Sequence, residues 1–148
     1  MGGKVYPKLY AIENLIRIVV HTVLTVQLGN NWWSLTADPA LQKNVSKRMT
    51  SYRKQPWHSA PGRHEVYYVY LSDLTKILTT HSGAFLPHIP DIAQWTARLE
   101  QIRVPRNIVG HMDWLTNTDR RRIEVCLDDV EQLVVKLASN PLLPLMVP

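Results

Sequence analysis

The sequence predicts an all-α fold: one helical domain over residues 1–148, a bundle of four to five helices with short connections. Three observations predict it. Apolar residues recur at three- and four-residue steps through several long stretches. Prolines, glycines and Asp/Ser/Thr residues stand where such helices would start and stop. Only Glu65-Val-Tyr-Tyr-Val-Tyr70 has strand composition, and no second convincing strand exists to pair with it.

The first helix is expected from about Lys8 to Leu28. Leu9, Ile12, Ile16, Val19, Val23 and Val26 form its stripe, Leu15, Val20 and Leu24 widen it, and Gly29 stops it. Glu13, Arg17 and His21 make a second row at steps of four, with Glu13 placed before Arg17 as a helical ion pair prefers. Asn30 to Trp33 reads as a turn with one indole tucked onto the core. Asp38-Pro39 supplies a cap and a first-turn proline for the next helix, to about Arg53. That helix carries Lys43, Lys47, Arg48, Arg53 and Lys54, with Tyr52 and Trp57 interleaved. Cations beside aromatic faces suit RNA phosphates and stacked bases; a charged, solvated face is the competing reading.

Gln55 to Arg63 is a loop by its prolines and Gly62, and 65–70 is expected to be an extended connector. Ser72 should cap a short helix burying Leu74, Ile77 and Leu78. Pro87 to Pro90 opens a helix with Ile92, Trp95, Leu99 and Ile102 inward. Pro105 should kink or restart it, which would place Arg106, Asn107 and Ile108 in a first turn whose free N–H groups favour phosphate. Thr116 to Asp119 leads into the last helix, with Ile123, Leu127, Val130, Val134 and Leu137 inward and Cys126 and Leu133 alongside; Asn140-Pro141 ends it.

Charge and composition narrow the function. Seventeen Lys and Arg against twelve Asp and Glu give +5, which favours an anionic partner. A single cysteine, Cys126, excludes an internal disulfide framework and a cysteine-based zinc site. His58, His64, His81 and His88 share no close metal-ligand spacing, so no metal and no cofactor are expected. The apolar run at Val19-Val20 is interrupted by His21 and Thr22, short of the ~20 residues that span a bilayer. No signal-peptide pattern opens the chain. The expectation is a cytoplasmic protein without a membrane segment.

The chemistry concentrates in Arg106-Asn-Ile-Val-Gly-His111. Arginine is permanently charged and forks onto phosphate oxygens; histidine both takes and gives a proton near neutral pH. One proton handler and one charge stabiliser suit phosphodiester cleavage without metal. On an ideal helix at ~100° per residue, five positions put Arg106 and His111 ~140° apart. One straight helix therefore does not focus both on one phosphate, whereas two copies across a twofold axis would bring two of each into one cleft.

An arginine, a polar residue, three more residues and a histidine, between two long amphipathic segments, resembles the signature of the HEPN superfamily of RNA-cleaving and nucleotide-binding helical domains. Glu13 with Arg17 in the first helix resembles an accessory motif of several HEPN groups; in that reading the pair borders the catalytic cleft, and otherwise it is a solvated ion pair. The tyrosines before the short Asp73-Leu-x-x-Ile77 helix are loosely similar to the middle of standalone HEPN proteins. The resemblance implies a metal-independent endoribonuclease that dimerises around the motif. Arg106 and His111 would be catalytic, Asn107 would orient the histidine or bind phosphate, and RNA would be the substrate. It also implies a prokaryotic toxin–antitoxin or antiviral defence setting, with an antitoxin or other protein as partner. Asp113 stands where one subgroup has a tyrosine, so regulation through that tyrosine is not implied. Two alternatives stand beside this reading: a non-catalytic HEPN module for dimerisation or for nucleotide or partner binding, and a basic helical nucleic-acid binder.

Overall fold

In the computed structural model the described residues are 2–55, 57, 61–110 and 115–148; for 2–6 and 104–110 the description is of backbone alone. The chain is all-α, and no strand occurs among the described residues. Five helices of ten residues or more build the bundle: α1 (Gly2–Leu28), α3 (Pro39–Arg53), α4 (Leu71–Thr80), α6 (Ile92–Gly110) and α7 (Asn117–Ala138). Two short ones, α2 (Trp32–Thr36) and α5 (Ser82–Phe85), fill corners, the first beside the turn expected at Asn30 to Trp33.

α1 is the central element, packed on α7 and touching α2, α4, α5 and α6. Leu9, Ile12, Ile16, Val19, Val20, Val23 and Leu24 are all buried, whereas Val26, in the last turn, is exposed. Gly29 ends the helix at φ +89°, a conformation only glycine adopts without strain, and its N–H closes on the Thr25 carbonyl at 2.9 Å. The helix begins at Gly2 rather than Lys8, because Pro7 loses one ladder bond but holds a helical φ. By length and composition Pro7–Leu28 is apolar enough to cross a membrane, contrary to the sequence expectation: His21 and Thr22 are uncharged and do not break the run. In the bundle 56% of its most apolar 18-residue window is buried against protein.

The caps explain most helix starts. The Asp38 side chain accepts from Leu41 N–H at 2.8 Å with Pro39 following, as the sequence predicts. Thr116 accepts from Asp119 N–H at 3.1 Å and opens α7. α4 differs: it starts at Leu71, and Asp73 accepts from the Tyr70 N–H at 2.8 Å in place of a Ser72 cap. The Glu65–Tyr68 stretch winds into one 3₁₀ turn because the His64 ring accepts from Val66 N–H at 3.0 Å; only Val69 and Tyr70 beyond it are extended. Trp32 is the tucked indole, fully buried.

α6 corrects the reading of Pro105. The helix is continuous to Gly110, with no restart. Pro105 removes one N–H, but the carbonyl that loses its partner belongs to Gln101, which is exposed and open to water. Arg106, Asn107 and Ile108 therefore stand in the closing turns of a helix, not in a first turn with free N–H groups.

Helix directions follow from long-range pairs. Lys8 meets Glu124 at 2.9 Å and Thr22 meets Met146 beyond the end of α7, so α1 and α7 run parallel. Arg98 lies 3.9 Å from Asp129 while Ile102 shares a groove with Arg122 and Cys126, so α6 runs antiparallel to both. On α7 the most buried line is Ile123, Cys126, Val130, Leu133 and Leu137, with Leu127 and Val134 on its flank. The tail folds back: Leu143 is fully buried and Met146 N–H donates to Thr22 Oγ1 at 2.9 Å.

Candidate functional site

α1 presents a second face beside its core stripe. Tyr10, Glu13, Asn14 and Arg17 follow the i, i+3, i+4, i+7 spacing and line a cleft of about 680 Å³, closed on the other side by the 3₁₀ turn and α3. Glu13 and Arg17 are 7% and 8% exposed, which removes the solvated-pair reading. Their charged groups lie 3.5 Å apart. Arg17 also donates to the Val69 carbonyl at 3.0 Å and to Asn14 Oδ1 at 2.8 Å, tying α1 to the connector.

Arg48 enters the same cleft from α3. It donates to the Tyr68 carbonyl at 2.6 Å, lies 3.4 Å from Asp73, and covers the Tyr70 ring at 3.7 Å. Tyr52 stands beside it, edge-on to Tyr68 with ring centres 5.6 Å apart. The remaining basic residues of the predicted RNA surface are separate. At ~100° per residue Lys43, Lys47 and Lys54 fall within ~40° of one another, opposite Leu41 and Val45, while Arg48 falls beside Leu41. The lysines are exposed, and so are Arg53 and Trp57. The structure thus divides what the sequence groups as one surface: Arg48 and Tyr52 line the cleft, and the lysines form an outward row.

Arg106 and Asn107 lie on the last turns of α6, and His111 lies outside the described residues, as does Asp113. Arg98 stands level with Glu13, since Asp129 follows Glu124 by as many residues as Glu13 follows Lys8. At ~1.5 Å per residue, the Arg106 backbone is ~12 Å further along the bundle, toward the end where α1 begins. The closing end of a helix carries negative partial charge, which favours cations there. Beside this end, Arg98, Arg121 and Arg122 border an α6–α7 groove of about 330 Å³. Arg122 pairs with Asp119 at 3.7 Å in the first turn of α7. Cys126, at the groove floor, has its thiol pushed up to about 11 by burial and by Asp129, so it stays protonated and is a core residue, as expected.

A histidine pair went unread in the sequence. Trp32 Nε1–H donates to His21 Nδ1 at 3.2 Å, and the His64 ring stacks on Trp32 with centres 5.2 Å apart and lies 4.6 Å from His21. Burial lowers the pKa of both, reinforced at His21 by His64 and opposed at His64 by Glu65. His64 follows His21 by 43 positions, so no local spacing announces them. His81 Nε2 meets the Thr36 carbonyl at 3.1 Å and His88 meets Gln27 at 2.8 Å, while His58 lies outside the described residues. Among the described residues no three His, Cys, Asp or Glu side chains gather to hold a metal ion.

Comparison with protein-family models, with curated proteins and with solved structures finds no match to this chain.

Proposed function

We propose that this chain is a metal-independent endoribonuclease of HEPN type. The observation that carries the reading is the Arg106-Asn-x-x-x-His111 sequence at the junction of the last two long helices of an all-α bundle. Its neighbours support it: three arginines border the adjoining α6–α7 groove.

The reaction is attack of the RNA 2′-hydroxyl oxygen on the adjacent phosphorus. His111 takes the hydroxyl proton and Arg106 stabilises the charge gathering on the phosphoryl oxygens. The P–O5′ bond breaks and the leaving oxygen is protonated, giving a 2′,3′-cyclic phosphate and a 5′-hydroxyl. Asn107 orients the histidine or binds phosphate. A homodimer, a cytoplasmic setting in toxin–antitoxin or antiviral defence, and a restraining protein partner belong to the same proposal.

The test is incubation of purified protein with labelled RNA in EDTA, with the new ends identified. Cyclic phosphate and 5′-hydroxyl ends support the proposal, with DNA and 2′-O-methyl RNA bound but uncut. A requirement for Mg²⁺ contradicts it. The outward row of Lys43, Lys47 and Lys54 favours a second reading, a helical RNA binder without chemistry; binding with no product from any RNA would select it.

A further inference from the structure

Three tyrosines from three elements converge on the cleft between α1, α3 and the 65–70 connector. Tyr10 stands on α1, Tyr52 on α3 and Tyr70 at the entry to α4, and they are 59%, 40% and 53% exposed. All three line the one cleft of about 680 Å³, a size within the range of ligand sites. Single exposed rings are ordinary on a protein surface, whereas a group of them around one opening marks a contact site. The rings are also held in place. Val69 beside Tyr70 is fully buried, and the Tyr70 N–H donates to Asp73 at 2.8 Å. Arg48 lies over the Tyr70 ring at 3.7 Å, and Tyr52 rests edge-on against the buried Tyr68. Behind them Arg17 is committed to the fold: it meets Glu13 and donates to Asn14 and to the Val69 carbonyl, which clamps the connector to α1. The buried pair therefore sets where the rings stand, and the rings are what the cleft offers to a ligand.

We infer that the Tyr10, Tyr52 and Tyr70 rim is a stacking platform for unpaired bases of single-stranded RNA. The inference rests on the RNA-directed reading above and names the chemistry that holds the strand: ring faces, not hydrogen bonds to base edges. Every base has a π-face, so such a platform accepts any sequence and requires only that the bases be unpaired. Bases inside a duplex have both faces covered by their neighbours and are not taken. Arg48 adds a guanidinium plane against Tyr70, a second kind of surface on which bases stack. Rings that are already fixed lose little freedom on binding, so the contact area is available at low entropic cost. Aromatic grooves also take proline-rich peptides. Charge favours RNA: the chain carries +5, and α3, which supplies Tyr52 and Arg48, also carries the exposed Lys43 and Lys47.

The experiment uses the His111→Ala protein in EDTA, so that binding is read without cleavage. The probes are labelled hexauridine, the same strand with one central 2-aminopurine, and an abasic ribose-phosphate strand of equal length and charge. Hexauridine should bind about tenfold more tightly than the abasic strand, and 2-aminopurine fluorescence should be quenched on binding. The Tyr10→Ala/Tyr70→Ala protein should lose about tenfold in affinity for hexauridine and should no longer quench. Its salt slope should stay as it was, because the tyrosines neutralise no phosphate. The Phe/Phe protein should keep both affinity and quenching. Both rings are exposed, so these substitutions leave the core intact. Equal affinity for hexauridine and the abasic strand, or an Ala/Ala protein that binds hexauridine as before, overturns the platform. So does ring-dependent binding of a proline-rich peptide in place of RNA. Cleavage by the unaltered protein with no ring dependence of binding would reject the platform and leave the nuclease; ring-dependent binding without cleavage would do the reverse.

Discussion

Single side chains set the pH behaviour of this fold. His21 and His64 both accept hydrogen bonds through Nδ1, from Trp32 Nε1–H and from Val66 N–H, and each bond requires the unprotonated nitrogen. Their pKa values fall below the ordinary 6.5, so the unfolded chain binds protons first as pH drops. The stability they contribute is present above pH 6.5 and is lost as pH falls through the folded values. Thermal melting between pH 7.5 and 5 should show Tm declining below about pH 6.5. His64→Asn, which keeps a side-chain acceptor for Val66 N–H, should flatten that decline; an unchanged slope would remove the pair from the account. Asp38 and Glu124, held low by hydrogen bonds from Lys76 and Lys8, act only as pH falls past 3.8 and 4.5, outside this window. None of this was legible in the sequence, because His21 and His64 lie far apart in the chain and meet only in the fold, around Trp32. Glu13 and Arg17 were legible as a pair by their spacing, but their burial depends on α3 and the 65–70 connector closing over them.

At the scale of elements, periodicity and caps made the five long helices readable. Leu9 to Leu24, Ile92 to Ile102 and Ile123 to Leu137 announce their buried faces, and Asp38 and Thr116 announce two starts. What failed was the weighting of single breakers. Pro105 lost one hydrogen bond at an exposed carbonyl and did not end α6, while Pro7 sits inside α1. The basic helix was legible as a composition and not as a surface, since its cations divide between the outward lysine row and the cleft. That division is measurable. Single-strand RNA binding should weaken with salt at a log–log slope of about −0.7 per neutralised phosphate. Replacing Lys43, Lys47 and Lys54 by Ala should flatten the slope without shifting Tm. Should slope and affinity both hold, the row is only a solvated face.

At the scale of the whole molecule, the proposed cleavage by Arg106 and His111 calls for two copies. The ~140° offset between Arg106 and His111 on an ideal helix argues against one straight helix aiming both at a single phosphate. α7 also leaves Val125 and Val135 57% and 70% exposed, on the helix that borders the arginine-lined groove. Light scattering during size exclusion should give twice the mass of the chain, and a monomer would contradict this arrangement.

The central claim is that His111 and Arg106 cut RNA, and single-turnover cleavage by their variants measures it most directly. His111→Ala should slow cleavage by roughly 10²- to 10⁴-fold with Tm unchanged. Arg106→Ala should lose a comparable amount, and Arg106→Lys should recover little because a point charge lacks the planar fork. Cleavage that survives both alanine substitutions would contradict the account.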